Sequence, residues 1–324
     1  MDGIGKLRTP QSVIIGTIAV AAAAGVALAV MPAVAVAADS GTGSDTGTGD
    51  ASYFVASLNG ANEVPVKGGP AAGDKDGAAL EWVKVQGGTV SFAVKWRGTD
   101  KPTALHIHQG GKGVNGDLKI DFTKQLGKKE GKARTATGSV KVADADAAVL
   151  KAFTSDPTSF YANLHTAEFP GGAVRGQFHK VTHGFHFDRA LDNFQAPVAK
   201  GRQIYACKKG TDGTSSFQQR DVRAVLAGGI AHSFVRPNSG TPQWIAPDRS
   251  AVTGSLISKS ANGAGNIPEL DLLAKQSGKK HGLFAHTTEI LRLNTVGGVA
   301  PAGECEAGSV AAVPYRADYV FIQG

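Results

Sequence analysis

Residues 79–96 constrain the fold of this chain more than any other stretch. Thr89 to Trp96 puts Val90, Phe92, Val94 and Trp96 at every second position. A repeat of two places all four on one face of a strand. Ahead of it, Ala79 to Val85 also alternates, with Leu80, Trp82 and Lys84 sharing a face. Gly87-Gly88 between the two runs reads as a hairpin turn. Trp82 and Trp96 read as core residues. An isolated hairpin is marginal in water, so this one must pack against further strands.

The rest of the chain extends the pattern. Tyr53 to Leu58, Thr103 to His108, Leu118 to Phe122, Ala136 to Val142, Phe160 to His165 and Ala173 to His179 are short apolar runs between turns. Asp144 to Phe153 departs from it. Ala147, Leu150 and Phe153 recur at helical spacing, Asp144 or Asp146 can cap, and Asp156-Pro157 stops the helix. About seven or eight short strands and one helix suit a β-sandwich. His183 to Phe194 reads as a connection. Beyond it, Gln203 to Cys207, Phe217 to Leu226, Gln243 to Ser250, Ala251 to Ile257, Leu283 to Asn294 and Tyr315 to Ile322 read as strands. Ile267 to Gln276 reads as a short helix or an apolar strand. The 43 glycines favour turn-rich β structure over long helices. The expectation is an all-β chain: two β-sandwich-like domains in tandem, at 53–182 and 183–324, with one short helix in the first.

The first residues read as an export signal. Lys6 and Arg8 precede the apolar run Val13 to Val30, and Ala35-Val36-Ala37 is a small-x-small cleavage site. This makes 1–37 a signal peptide, with an uncleaved anchor as the competing reading. Residues 38–52 are a Gly/Ser/Thr tract, expected to be a flexible linker. The protein is then secreted, with no membrane span after cleavage. In an oxidising compartment the only two cysteines, Cys207 and Cys305, are expected to form one disulfide. Net charge is +7, but the basic residues are scattered. The densest group, Lys124, Lys128, Lys129 and Lys132, is interrupted by Glu130 and has no aromatic platform, which argues against nucleic acid. The charge reads first as a soluble basic surface, with weak attraction to anionic cell-wall polymers as the alternative, and the partner expected is an unknown extracellular or cell-wall ligand.

Chemistry concentrates in Leu105-His106-Ile107-His108-Gln109-Gly110 and Asn163-Leu164-His165-Thr166. On a strand, His106 and His108 share a face. With His165 beside them, three neutral imidazoles make a set for copper or zinc, with His179, Asp117 or water as fourth ligand. The competing reading is that these histidines bond to backbone and hold strand register. The glycine-rich 110–116 loop lacks the Lys-Ser/Thr of a phosphate loop, and instead lets backbone pass close to the imidazoles.

These residues also carry a family resemblance. Leu58-Asn59-Gly60-Ala61-Asn62-Glu63-Val64-Pro65 resembles the opening motif of the chordin-type (CHRD) domain. His106-Ile107-His108-Gln109-Gly110 with Gly113-Val114-Asn115-Gly116 resembles its central motif. Tyr161 to Thr166 followed by Phe169 to Gln177 resembles its closing motif. The resemblance covers about residues 53–179. It implies a small all-β extracellular module without an established reaction, and it singles out Glu63, Asn115, Asn163 and Arg175. A Glu commonly stands two residues before that Arg, where this chain has Ala173. Glu168 or Glu63 is left to supply the carboxylate.

In the second half, Tyr205-Ala206-Cys207, Trp244 with Asp248-Arg249-Ser250, Thr295 to Pro301 and Gly303-Glu304-Cys305 resemble motifs of an uncharacterised secreted family. That family usually has Asp-Gly-Ser where Arg249 stands, so a turn of different shape is expected. The resemblance supports the Cys207–Cys305 pair. No Gly-x-Ser-x-Gly is present. His232 with Trp244 and Asp248 is the second-half cluster to watch, against a buried structural histidine. The sequence thus points to a secreted or envelope-associated, non-catalytic binding module. The alternative is a copper- or zinc-dependent, dismutase-like oxidoreductase using His106, His108 and His165. Its likeness to copper–zinc superoxide dismutase covers one His-x-His tripeptide and the architecture.

Overall fold

The computed structural model describes residues 50–324, apart from 128–129, 132–133 and 144–145. The expected signal peptide, most of the linker, Lys128, Lys129, Lys132 and the candidate cap Asp144 lie outside the described residues.

The first sheet contains β1 (Ser52–Asn59), β2 (Ala78–Gln86), β3 (Thr89–Arg97), β4 (Ala104–Gln109), β5 (Asp117–Asp121), β6 (Glu130–Gly131), β7 (Thr135–Lys141), β8 (Phe160–His165) and β9 (Val174–Val181). Its strand order is β5-β4-β8-β9-β1-β2-β3-β7-β6. The hairpin pairs Val85 with Val90 and Ala79 with Trp96 across the glycine turn. Val90, Phe92, Val94 and Trp96 all enter one buried core with Phe54, Phe122, Phe160 and Phe178. The one helix, α1 (Ala147–Ser155), drives Leu150 and Phe153 into that core. Phe153 meets Phe54, Phe160 and Phe178 at centroid distances of 4.6, 5.2 and 5.1 Å. Asp146 sits at the helix start but makes no side-chain cap bond, so packing of Leu150 and Phe153 holds the helix rather than its cap.

The second sheet contains β10 (Phe194–Lys209), β11 (Ser215–Leu226), β12 (Ile230–Phe234), β13 (Pro242–Ile245), β14 (Ala251–Ser260), β15 (Glu269–Gln276), β16 (Thr287–Gly297) and β17 (Val310–Gln323). It closes into a barrel, because β17 pairs back onto β10 from Phe194↔Phe321 to Ala206↔Val310. The all-β tandem with one helix in its first part is the observed class. The layering is tighter than two facing sheets, since each part is one continuous sheet around its own core.

Several element boundaries differ from the sequence reading. β1 starts at Ser52, inside the expected linker. β10 starts at Phe194 rather than Gln203 and runs through Pro197, next to register shifts where a missing N–H is tolerated. β12 follows the positive-φ pair Gly228-Gly229, a turn that the pattern reading passed over. The run Gln243 to Ser250 is half strand, half turn: Ala246 N donates to Ser250 O at 2.9 Å. Arg249 there has φ 69°, the left-handed backbone that glycine adopts readily. Ile267 to Gln276 is a strand from Glu269 on.

The two sheets share a third apolar cluster. Val55, Leu80, Trp82 and Ala93 from the first pack with Leu291, Leu293, Val320 and Ile322 on the barrel's outer wall. The connection joins them: Phe185 stacks on Trp82 at 4.9 Å, ahead of a 3-10 turn at Phe187–Asp192. Beside the apolar patch, Asp318 accepts from Ser57 Oγ, Asn59 Nδ2 and Asn294 Nδ2 at 3.1, 3.3 and 2.7 Å. Glu289 accepts from the backbone N–H groups of Thr182 and His183, fixing the start of the connection. No helix among the described residues is long and apolar enough to cross a membrane.

Candidate metal centre

β4 supplies two histidines to one face, and its partner β8 supplies the third. The strands pair antiparallel, with His106 opposite Asn163 and Ala104 opposite His165. His165 is therefore the diagonal neighbour of His106 on the same face. His106 Nδ1 and His165 Nε2 lie 3.2 Å apart. The ligand nitrogens of His106, His108 and His165 all lie within 4.8 Å of one another.

The second nitrogen of each ring is anchored. His108 Nδ1 donates to Gly116 O at 3.0 Å, and His165 Nδ1 donates to Pro170 O at 3.0 Å. His106 Nε2 faces Thr123 Oγ1 at 3.2 Å and the Asp121 carboxylate at 3.5 Å. The two carbonyl acceptors put the ring N–H on His108 Nδ1 and His165 Nδ1 and leave lone pairs on His108 Nε2 and His165 Nε2. His106 presents a third lone pair from Nδ1 when its proton sits on Nε2, and otherwise donates from Nδ1 to His165 Nε2. His108 Nε2 is buried without a hydrogen-bond partner. The outward bonds are the arrangement that orients metal-ligating histidines. Tetrahedral ligands about 2.0–2.1 Å from one ion sit about 3.3 Å apart, which the His106–His165 pair already meets.

Electrostatics keep the rings neutral. Burial pulls His106 down to about 4, with His165 adding to the shift and Asp121 opposing it. Burial also lowers His108, partly offset by its bond to Gly116, and lowers His165, partly offset by Pro170. Neutral imidazole is the ligating form.

The glycine-rich loop is built for this approach. A Cβ on Gly116 would fall 1.7 Å from Gln109 O, so only glycine lets the loop lie against β4 and present its carbonyl to His108. Arg175 on β9, on the same sheet face as the histidines, staples the same loop. Buried to 1 % exposure, it donates to Asn115 Oδ1, Gly111 O and Val114 O at 3.1, 3.0 and 2.7 Å. Its guanidinium lies 3.4 Å from the centre of the Tyr161 ring, which stacks on His108 at 5.0 Å. Asn115 Nδ2 in turn donates to Val64 O, and Asn163 Nδ2 to Glu63 Oε2 at 3.3 Å. Glu63, Asn115, Asn163 and Arg175 thus form one network beside the imidazoles, on the same face of the sheet. Burial raises Glu63 to about 7 against the pull of Arg175 and Asn163. Glu63, not the exposed Glu168, is the carboxylate that Arg175 feels.

Neither side chain expected as fourth ligand joins the set, although Asp117 is near enough to His108 to oppose the fall in its pKa. His179 pairs with Glu269 at 3.5 Å, and the exposed Asp117 pairs with Lys119. Asp121 is the carboxylate beside the triad, brought opposite His106 across β4 and β5. Pattern reading missed it because a register shift between Ile107 and His108 sets that pairing.

The second-half cluster divides. His232 stacks on Trp244 at 4.5 Å, with Nδ1 on Gln243 O and Nε2 on the Tyr319 hydroxyl. Asp248 instead closes its own turn, accepting from Ser250 N, Ser250 Oγ and Leu283 N. No Ser-His-Asp relay links them. His183 and His186 lie in the connection ahead of the 3-10 turn. Cys207 and Cys305 form a disulfide that ties β10 to the loop before β17.

None of the curated proteins matches the chain, and neither does any solved structure. Two family models do match: the CHRD domain over residues 54–178 and a protein of unknown function (DUF3455) over residues 218–323. The first span holds the imidazole triad and its network; the second holds most of the barrel. The chain therefore carries a CHRD domain followed by a domain of the uncharacterised DUF3455 family.

Proposed function

We propose that this chain is an exported, non-catalytic binding module whose CHRD domain holds one copper or zinc ion on His106, His108 and His165. The observation that carries the metal is the convergence of three imidazole nitrogens whose opposite ring nitrogens are all anchored outward. His106 Nδ1 and His165 Nε2 face each other at 3.2 Å, close to the separation of two tetrahedral ligands on one ion. Export is supported by the basic and apolar N-terminal sequence, the CHRD match and the disulfide. The partner in this reading is an extracellular or cell-wall ligand.

A second reading is favoured by the same geometry. Three protein ligands leave a fourth position for a small molecule, as in catalytic sites. With copper such a site would be dismutase-like, turning two superoxide anions and two protons into dioxygen and hydrogen peroxide.

Metal analysis of protein recovered from the medium separates the readings. Stoichiometric zinc or copper without redox turnover, lost in His106→Ala, is the expected result. Copper with superoxide turnover favours the second reading. Protein that takes up neither ion, even when supplied, ends both metal readings. Mass spectrometry of the same sample should show an N-terminus between about residues 36 and 40 after signal cleavage; an intact N-terminus would end the export reading.

A further inference from the structure

The barrel encloses a cavity of about 610 Å³, to which all eight strands contribute. That volume suits a drug-sized molecule, and closed eight-stranded barrels commonly hold one small ligand. Its wall is apolar at Phe234, Trp244 and Leu272. Its rim carries the exposed Ser255 and Leu256, so it communicates with solvent.

The polar side of the cavity is one-signed. Arg292 and Lys275 line it, and among the described residues no Asp or Glu does. His232 adds no charge, because burial lowers its pKa to about 3. Arg292 bonds to neutral partners, donating from Nε and Nη2 to Pro268 O and hydrogen-bonding the Tyr319 side chain. Among the described ion pairs none neutralises it. It stands opposite Tyr319 across β16 and β17, and Tyr319 belongs to the barrel core, so Arg292 is on the interior face.

Two buried donors at the cavity lack partners. Trp244 Nε1 and Gln203 Nε2 are buried and make no hydrogen bond, although both residues line the cavity. Trp244 is 0 % exposed and Gln203 1 %. The Gln203 amide is oriented, since its oxygen accepts from Gln219 Nε2 at 2.7 Å. Buried donors without acceptors are costly, and a ligand acceptor would relieve them.

We propose that the barrel is a binding site for a small organic anion, with its apolar body against Trp244, Phe234 and Leu272 and its acidic head held by Arg292, Gln203 and Trp244. A fatty acid and an aromatic carboxylate share this chemistry. The site stands apart from the imidazole triad and does not depend on metal.

Calorimetric titration of the intact chain tests it. The probes are 1-anilinonaphthalene-8-sulfonate and its uncharged relative N-phenyl-1-naphthylamine, which share an aromatic body and differ in the anionic head. Palmitate and 2-naphthoate then distinguish the two sources. The expected result is one saturable site per chain and at least tenfold tighter binding of the anionic probe. Arg292→Met should weaken that probe at least tenfold and leave the uncharged one unchanged. Lys275→Gln, on an exposed side chain, should weaken it less, and serves if Arg292→Met does not fold. Equal binding of both probes, no saturable site for any anion, or binding that Arg292→Met and Lys275→Gln leave intact would overturn the proposal.

Discussion

Glu81 is the residue most at odds with its surroundings. It sits on β2 between Ala79 and Val83, which enter the first core, and it is 0 % exposed. Neither carboxyl oxygen has a hydrogen-bond partner, and burial raises its pKa well above 4.5. Folded Glu81 keeps a proton that the unfolded chain sheds above that value, so its contribution to stability declines as pH rises. Glu81→Leu should stabilise the chain by about 1–3 kcal/mol in urea at neutral pH, and by less in acid. A loss of stability would mean that the carboxyl has a partner the geometry does not show. His232 runs the other way. Burial lowers it to about 3 from 6.5, so the unfolded state binds a proton first as pH falls. Stability present above pH 6.5 is lost between there and about 3. His232→Phe should remove about one proton from the slope of stability against pH in that window, about 1.4 kcal/mol per pH unit. An unchanged acid limb, read by denaturation at several pH values, would contradict this.

At the scale of elements, the 110–116 loop and β4 act together. Gly116 is the position where glycine is required, because an added Cβ meets Gln109 O at 1.7 Å. Gly116→Ala must push the loop off β4 and take with it the carbonyl that holds His108 Nδ1. Zinc affinity should fall at least tenfold, as outer-shell losses do, with destabilisation of about 1–3 kcal/mol. Calorimetric zinc titration checks the first and urea unfolding the second. Unaltered affinity would show that Gly116 does not orient His108. Arg175 is a second hold on the same loop, through three acceptors that sequence spacing alone could not name.

At the scale of the molecule, the shared cluster around Trp82 couples the two sheets. Trp82 is 0 % exposed and stacks on Phe185 from the connection. The barrel side supplies Leu291, Leu293, Val320 and Ile322. We expect the intact chain to melt in one calorimetric transition. Trp82→Ala should cost about 3–5 kcal/mol and separate that transition into two. A single transition with a loss under about 1 kcal/mol would mean that the sheets fold independently.

What the sequence determined by itself is local. Alternation in residues 79–96 sets a hairpin because side chains on a strand change face at every step. The His-x-His spacing places His106 and His108 on one face for the same reason, and the motif order identifies the CHRD domain. Trp82 read correctly as core, but not as core shared with the barrel. Tertiary structure decided whatever depends on pairing distant segments. Phe194 meets Phe321 to close the barrel, and a register shift sets Asp121 beside His106. His232 and Asp248 part because a strand carries one and a tight turn the other. Strand register has a period of two and is chosen by the fit of whole faces, so a slip of one residue reverses every partner. That choice is made only when the sheets close.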